Sequence, residues 1–382
     1  MSRRTPAERG GALFRRSSLF VERWISMAYK KELDYMNGIG CLLVVLIHVL
    51  SIAVTRADRS SPLAAAAYLL WRLSACAVPM FLYTGGVKMA RQFGDARLSP
   101  KIYFRYILRR FTKIYLPYAA WTAIYYLCYL RINYVRGGVG EFVSYLLKGD
   151  LSAQFYYVAV VMQFYLLMPL WVWMLRHVRA YTALGVSLML RLFMLQLPAV
   201  LTSFGIEFAY THHLFLPYLV FWAAGLYAGK YYDVLLPTVR ERPTLIISTL
   251  VIAGYGCLSL REYVTGQVLF DLNQIKIFTD LLSVLLLHGA ALKLTESEGR
   301  LAGLLGRVHR ASFSVFLSHC LLLTLVTVLL ENAGVTRLSI LLPARFLTCY
   351  TLPFLLYFVL HQISAWWKKR VRRAFPWRYR RR

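Results

Sequence analysis

Apolar residues in this chain come in long uninterrupted runs. Stretches of about 17 to 25 residues, enough to cross a bilayer as a helix, are centred on 35–55, 64–87, 113–130, 154–174, 181–198, 213–229, 244–260, 276–294, 312–330 and 342–364. The pattern predicts an all-α integral membrane protein of about ten transmembrane helices. Short loops take up the rest, so no separate soluble catalytic domain is expected. The predicted organisation is a basic leader over 1–32, a membrane domain over 33–365 and a basic tail over 366–382. The first run lies behind the leader and is long enough to remain as a signal anchor.

Composition agrees. Of 382 residues 59% are hydrophobic and 16% charged, and the mean hydropathy is +0.52. The net charge of +28 does not point to nucleic acid, because the basic residues sit in blocks between apolar runs. If both termini are cytoplasmic, segments on that side carry 34 of the 45 basic residues and the opposite segments 7, as the positive-inside rule requires. An even number of spans keeps this alternation. The six cysteines all fall within apolar segments and show no paired spacing, so neither a disulfide framework nor a metal site is expected.

Two basic clusters stand out. The tail from Lys368 to Arg382 interleaves nine positive charges with Trp366, Trp367, Trp377 and Tyr379, which suits an anionic lipid surface or simply fixes topology. The loop after the second span carries Lys88, Arg91, Arg97, Lys101, Arg105, Arg109, Arg110 and Lys113 against Asp95. That is more than a topology signal needs, and it fits a cytosolic ligand bearing several phosphates.

Ionisable groups at membrane depth are costly and mark candidate sites. His48 lies roughly 9 Å from the outer end of the first span, and Arg72 lies roughly 11 Å deep in the second. At a shared level, the imidazole would take a proton from an attacking hydroxyl and the guanidinium would steady the oxyanion. That combination is suited to acyl transfer. The alternative is that Arg72 snorkels outwards and His48 bonds a neighbouring helix. Asn37, eleven residues before His48, falls on the same helical face, with Gly38 and Gly40 leaving room for close approach. Asp34, about 21 Å from His48 along the helix, is expected to organise an inner gate. His319 and His288 are placed in the inner halves of their spans, out of reach of His48, and are expected to bond between helices. Gln154, Gln163, Tyr156, Tyr157 and Tyr165 form a stripe that suits a sugar or an interfacial belt.

Several stretches taken in order are similar to one family. They are Leu33 to Gly40 running on to His48, Val78 to Gly85, Arg110 to Tyr118, Ser312 to His319 and, more loosely, Tyr156 to Pro169. Together they resemble the membrane-bound acyltransferase 3 family, and more narrowly its branch acting in surface-polysaccharide and intercellular-adhesin synthesis. Thr84 stands where serine is usual, and Phe316 where tyrosine is common. The resemblance implies an enzyme that moves an acyl group, acetyl or succinyl in type, from cytosolic acyl-CoA to a hydroxyl of a surface or lipid-linked glycan. His48 matches the family's catalytic histidine, and Arg110 and Lys113 its basic pair. Arg105 and Arg109 join them as the expected donor-binding set, with acyl-CoA as a donor substrate and no permanently bound cofactor. Position 37 is arginine in the family and Asn37 here. Either Arg72 or another cation takes its place, or the member is divergent or inactive. The implied setting is the plasma membrane, with the bilayer and a polysaccharide synthase as partners. The rival reading is a polysaccharide or glycolipid flippase that performs no chemistry, and a third is a structural partner in a synthase complex. The lack of visible repeats counts against the flippase.

Overall fold

The computed structural model describes residues 30–208, 210–269, 271–297 and 299–374. The leader to residue 29 and the tail from 375 lie outside the described residues. Every regular element among the described residues is helical. In chain order these are α1 (Lys31–Arg56), α2 (Pro62–Ser74), α3 (Ala77–Phe93), α4 (Pro100–Arg110), a π-helical turn (Phe111–Tyr115), α5 (Leu116–Arg131), α6 (Val139–Lys148), α7 (Tyr156–Leu166) and α8 (Met168–His177). There follow α9 (Ala180–Ser203), α10 (Leu219–Lys230), α11 (Tyr232–Arg240), α12 (Arg242–Thr265), α13 (Leu272–Ser297), α14 (Arg300–Asn332) and α15 (Leu338–Ala374). Local signals set several starts. Ser61 and Ser99 cap α2 and α4 through their hydroxyls, each followed by proline in the first turn, where the missing amide hydrogen costs nothing.

Among the described residues seven helical segments are long and apolar enough to cross a membrane, with α2 and α3 (Pro62–Phe93) counting as one. The bent pair α7–α8, with a 57° break, makes eight if it counts as one span. The ten expected runs differ at two further places, and the reason is local. The run over 113–130 begins inside the π-helical turn, leaving α5 only 16 residues. The run over 213–229 is spent partly on single 3-10 turns and leaves α10 with 12. An apolar helix of that length serves a protein core better than a bilayer crossing, and nine of its residues are buried. The last helix continues past the expected boundary at 365 to Ala374.

Glycines set the closest approaches. A Cβ on Gly225 of α10 would lie 2.1 Å from the carbonyl oxygen of Tyr83 in α3, and one on Gly86 2.5 Å from that of Trp222. The two backbones therefore touch, and Trp222 stacks on Phe164 of α7 with ring centroids 4.6 Å apart. A second close pair positions the site: a Cβ on Gly38 of α1 would meet the carbonyl oxygen of Leu305 in α14 at 2.7 Å.

The glycine contacts carry a prediction. Gly225→Ala must separate α3 from α10 and is expected to cost about 3 kcal/mol, the upper range for overpacking. Gly254→Ala, whose added carbon meets nothing within 4 Å, should stay within about 0.5 kcal/mol of wild type, as surface changes do. Thermal unfolding in detergent, followed by intrinsic fluorescence, compares the two.

Candidate active site

From the Gly38–Leu305 contact α1 and α14 run side by side in the same direction. Cys41 reaches the carbonyl oxygen of Ser312 at 4.0 Å, and further along His48 meets His319 with ring centroids 5.1 Å apart. This corrects the expected placement of His319. The apolar run starts at residue 312, whereas α14 begins at Arg300. Measured from the helix starts, His48 and His319 lie about 26 and 28 Å along their axes at 1.5 Å per residue, so they share a level. His319 is fully buried and His48 half-buried.

His319 is held in one tautomer by its own helix. Its Nδ1 lies 2.9 Å from the carbonyl oxygen of Val315 and 3.0 Å from that of Phe316. Carbonyls only accept, so Nδ1 carries the proton and Nε2 keeps the lone pair. Nε2 faces Cys320 Sγ at 3.3 Å. His48, His319 and Cys320 have their ligand atoms within 4.8 Å of one another. Nitrogen and sulfur ligands of a tetrahedral zinc lie about 3.3 to 3.7 Å apart given its bond lengths, a spacing that the His319–Cys320 pair meets.

The cation at this level is Arg345 of α15. Its guanidinium donates to the carbonyl oxygens of His48 at 2.8 Å and Val49 at 3.3 Å, and to the hydroxyls of Ser51 at 3.1 Å and Thr327 at 3.0 Å. It thereby ties α1 to α14 beside His48. Arg72 lies elsewhere. It donates to Asn273 at 3.0 Å and sits over the ring of Tyr255, and these partners draw it toward α12 and α13. The expected His48–Arg72 pair is not formed.

Two cavities lie along the same face of α14. The first, about 590 Å³, is lined by Lys31, Asp34, Arg307, His309 and Arg310, with Gly303 and Gly306 leaving it open. Asp34 accepts from Lys88 at 3.2 Å and pairs with His309 Nε2 at 3.1 Å. The second, about 170 Å³, is lined by Asn37, Phe81, Tyr157, Tyr165, Phe313 and Phe316, among others. His309 lines both. Residues 309, 312, 313 and 316, followed by 319 and 320, repeat at the three- and four-residue spacing of one helical face. The lining of the second cavity therefore leads to the imidazole pair, with Phe316 between: its ring is 6.5 Å from His319 and 5.9 Å from Tyr157.

The expected donor-binding residues separate. Arg110 lies over Tyr106 at 4.9 Å and Tyr165 at 4.5 Å, beside the second cavity. Arg105, Arg109 and Lys113 follow at four-residue spacing on an exposed face and line neither cavity. Asn37 accepts a hydrogen bond from Thr84 at 2.7 Å, so the two positions that the resemblance implies are unusual meet each other. His288 bonds Tyr83 at 3.1 Å and Tyr232 at 3.3 Å, an interhelical link as expected. The polar stripe divides: Gln163 binds the backbone of His213 and Phe215. Gln154 joins Ser152 at 2.7 Å and Tyr125 at 3.0 Å, and Tyr125 in turn accepts from the amide of Leu321 at 2.8 Å. Sequence reasoning did not single out Cys320, His309, Arg307, Arg310 or Arg345 as site residues. The spacing along α14 is a signal that reaches the first two, whereas Arg345 is defined by contacts with residues almost 300 positions away.

The fold and site define a polytopic helical membrane protein with paired imidazoles at the α1–α14 contact, on the α14 face that also lines a polar and an aromatic cavity. Its sequence matches the profile of an acyltransferase domain, that of the acyltransferase 3 family, over residues 30–374. The chain belongs to that family and is an acyltransferase, transferring a group other than aminoacyl. No curated protein and no solved structure matches it.

Two predictions follow from this geometry. Arg345→Met releases the carbonyls of His48 and Val49 and should lower acyl-transfer kcat about 100-fold, the scale of a misplaced reacting group, with the donor KM unchanged. Arg345→Lys recovers little, since an ammonium cannot bridge the same acceptors. Asn37→Arg forfeits the Thr84 bond and fills the smaller cavity. A fall of at least about ten-fold in kcat/KM is expected, the equivalent of one buried hydrogen bond, and an increase would reveal an unmet need for the family's arginine.

Proposed function

We propose that this acyltransferase moves a short acyl group, acetyl or succinyl in type, from acyl-CoA to a hydroxyl of a surface or lipid-linked glycan. The observation that carries the reading is the row along α14: basic cavity, aromatic cavity, imidazole pair. The larger cavity falls within the usual size range for small-molecule sites. Lys31, Arg307 and Arg310 give it the positive charge that a phosphate-bearing nucleotide requires. Beyond His309 the second cavity offers aromatic walls to the thioester arm, with Arg110 beside it. Positive-inside logic assigns the basic end to the cytoplasm, where acyl-CoA is made, and both termini to the same side of the plasma membrane. Ser152, Gln154 and Tyr125, joined by hydrogen bonds, are the polar groups assigned to the acceptor sugar.

His48 serves as the general base that takes the hydroxyl proton as oxygen attacks the acyl carbon. Arg345 fixes the segment that carries His48, and Arg72 plays no part. Family membership favours this reading over a flippase, which needs no imidazole.

The test uses purified protein, labelled acetyl-CoA or succinyl-CoA and candidate glycans, with wild type beside His48→Ala. Loss of a general base should lower transfer by about 10² to 10⁴. Equal transfer by both proteins overturns the assignment of His48. Binding of glycan with no transfer from any acyl-CoA overturns the donor.

A further inference from the structure

A membrane acyltransferase with its donor on one side and its acceptor on the other must bring both to one point, and the narrow part of this molecule is where they would meet. Phe316 and the two imidazoles occupy that point. The next residue on the same face is Cys320, 6% exposed, whose sulfur lies 3.3 Å from the unprotonated nitrogen of His319. A thiol beside an imidazole that a third group orients is the arrangement of an activated nucleophile. Here the orienting groups are the carbonyls of Val315 and Phe316, which hold the Nδ1 proton. Cys41 and Cys349 are also buried, but their sulfurs face the backbone carbonyls of Ser312 and His319, not a base.

We propose that Cys320 carries the acyl group between the two half-reactions. The proposal rests on the reading of acyl-CoA as donor. In the first half, Cys320 Sγ forms a bond to the thioester carbon as its proton passes to His319 Nε2. The bond from that carbon to the sulfur of CoA breaks, and the departing thiolate takes the proton from His319, leaving free CoA and an S-acyl Cys320. In the second half, the acceptor oxygen attacks the same carbon while His48 takes the hydroxyl proton. The bond to Cys320 breaks, and His48 returns the proton to the cysteine sulfur. Nothing is oxidised or reduced, and the sum is acyl-CoA plus alcohol giving CoA plus ester. Exchange of one thioester for another conserves the energy that drives ester formation. The two histidines then have separate duties: His319 serves the donor step and His48 the acceptor step. Donor and acceptor need not occupy the narrow point together.

The experiment incubates the purified full chain with radiolabelled acetyl-CoA, without acceptor, followed by denaturation and peptide mapping. About one label per chain is expected on the peptide containing Cys320, released by neutral hydroxylamine as a thioester is. Cys320→Ala should carry no label and lose at least 100-fold in transfer. His48→Ala should still take up label but fail to pass it on when glycan is added. Thermal unfolding and CoA binding establish that the variants are folded, and the wild-type labelling stands without any variant. The proposal is overturned if wild type transfers acyl groups while Cys320 stays unlabelled and Cys320→Ala keeps its rate. Stoichiometric zinc held by Cys320 overturns it as well, since a metal-bound sulfur is not free to accept the acyl carbon. If the wild type neither takes label nor transfers acyl groups from any acyl-CoA, the donor reading itself fails.

Discussion

The close parallel contact of α1 and α14 is the constraint on which the rest depends. Gly38 lets the α1 backbone come within a carbonyl's reach of Leu305, and a side chain there would push the helices apart. Because both helices start near the same level and rise equally per residue, closeness at that end becomes register at the other. Cys41 reaches Ser312, and seven residues further along each helix His48 stands beside His319. Arg345 closes the arrangement from α15 by bonding backbone carbonyls of α1 and a hydroxyl of α14. A buried guanidinium is costly in apolar surroundings, and its four hydrogen bonds to neutral acceptors offset that cost while holding three helices together.

That register also explains which readings of the sequence hold. Runs of apolar residues give the helical membrane class directly, since only length and composition are needed. They give the number of spans less well. The runs at 113–130 and 213–229 are as apolar as the others, but one starts in a π-helical turn and the other becomes a short helix packed on α3 through Gly86 and Gly225. Whether an apolar run faces lipid or protein is a tertiary property. His48 and Asn37 were legible because both lie on one helix, where spacing fixes the face. Arg72 was misplaced because matching depth in two spans says nothing about the direction in which either side chain points. His319 was misplaced by a helix start twelve residues earlier than the apolar run indicates.

The charge around the two cavities is distributed in a way that no single helix reveals. Position 37, where the resemblance implies arginine, is an asparagine, and Thr84 donates to its oxygen, so the polar atom is satisfied and carries no charge. Basic groups instead line the larger cavity from α14, at Arg307 and Arg310, and from Lys31 at the start of α1. Asp34 anchors His309 and Lys88 there, which keeps a carboxylate from facing the cavity alone. A point charge at residue 37 would sit within the smaller, aromatic cavity, where desolvation is expensive. On α14 the same charge lies at an open mouth where water still reaches it. The asparagine therefore belongs to a fitted site, in which positive charge is kept at the open mouth of the larger cavity and is absent from the aromatic one.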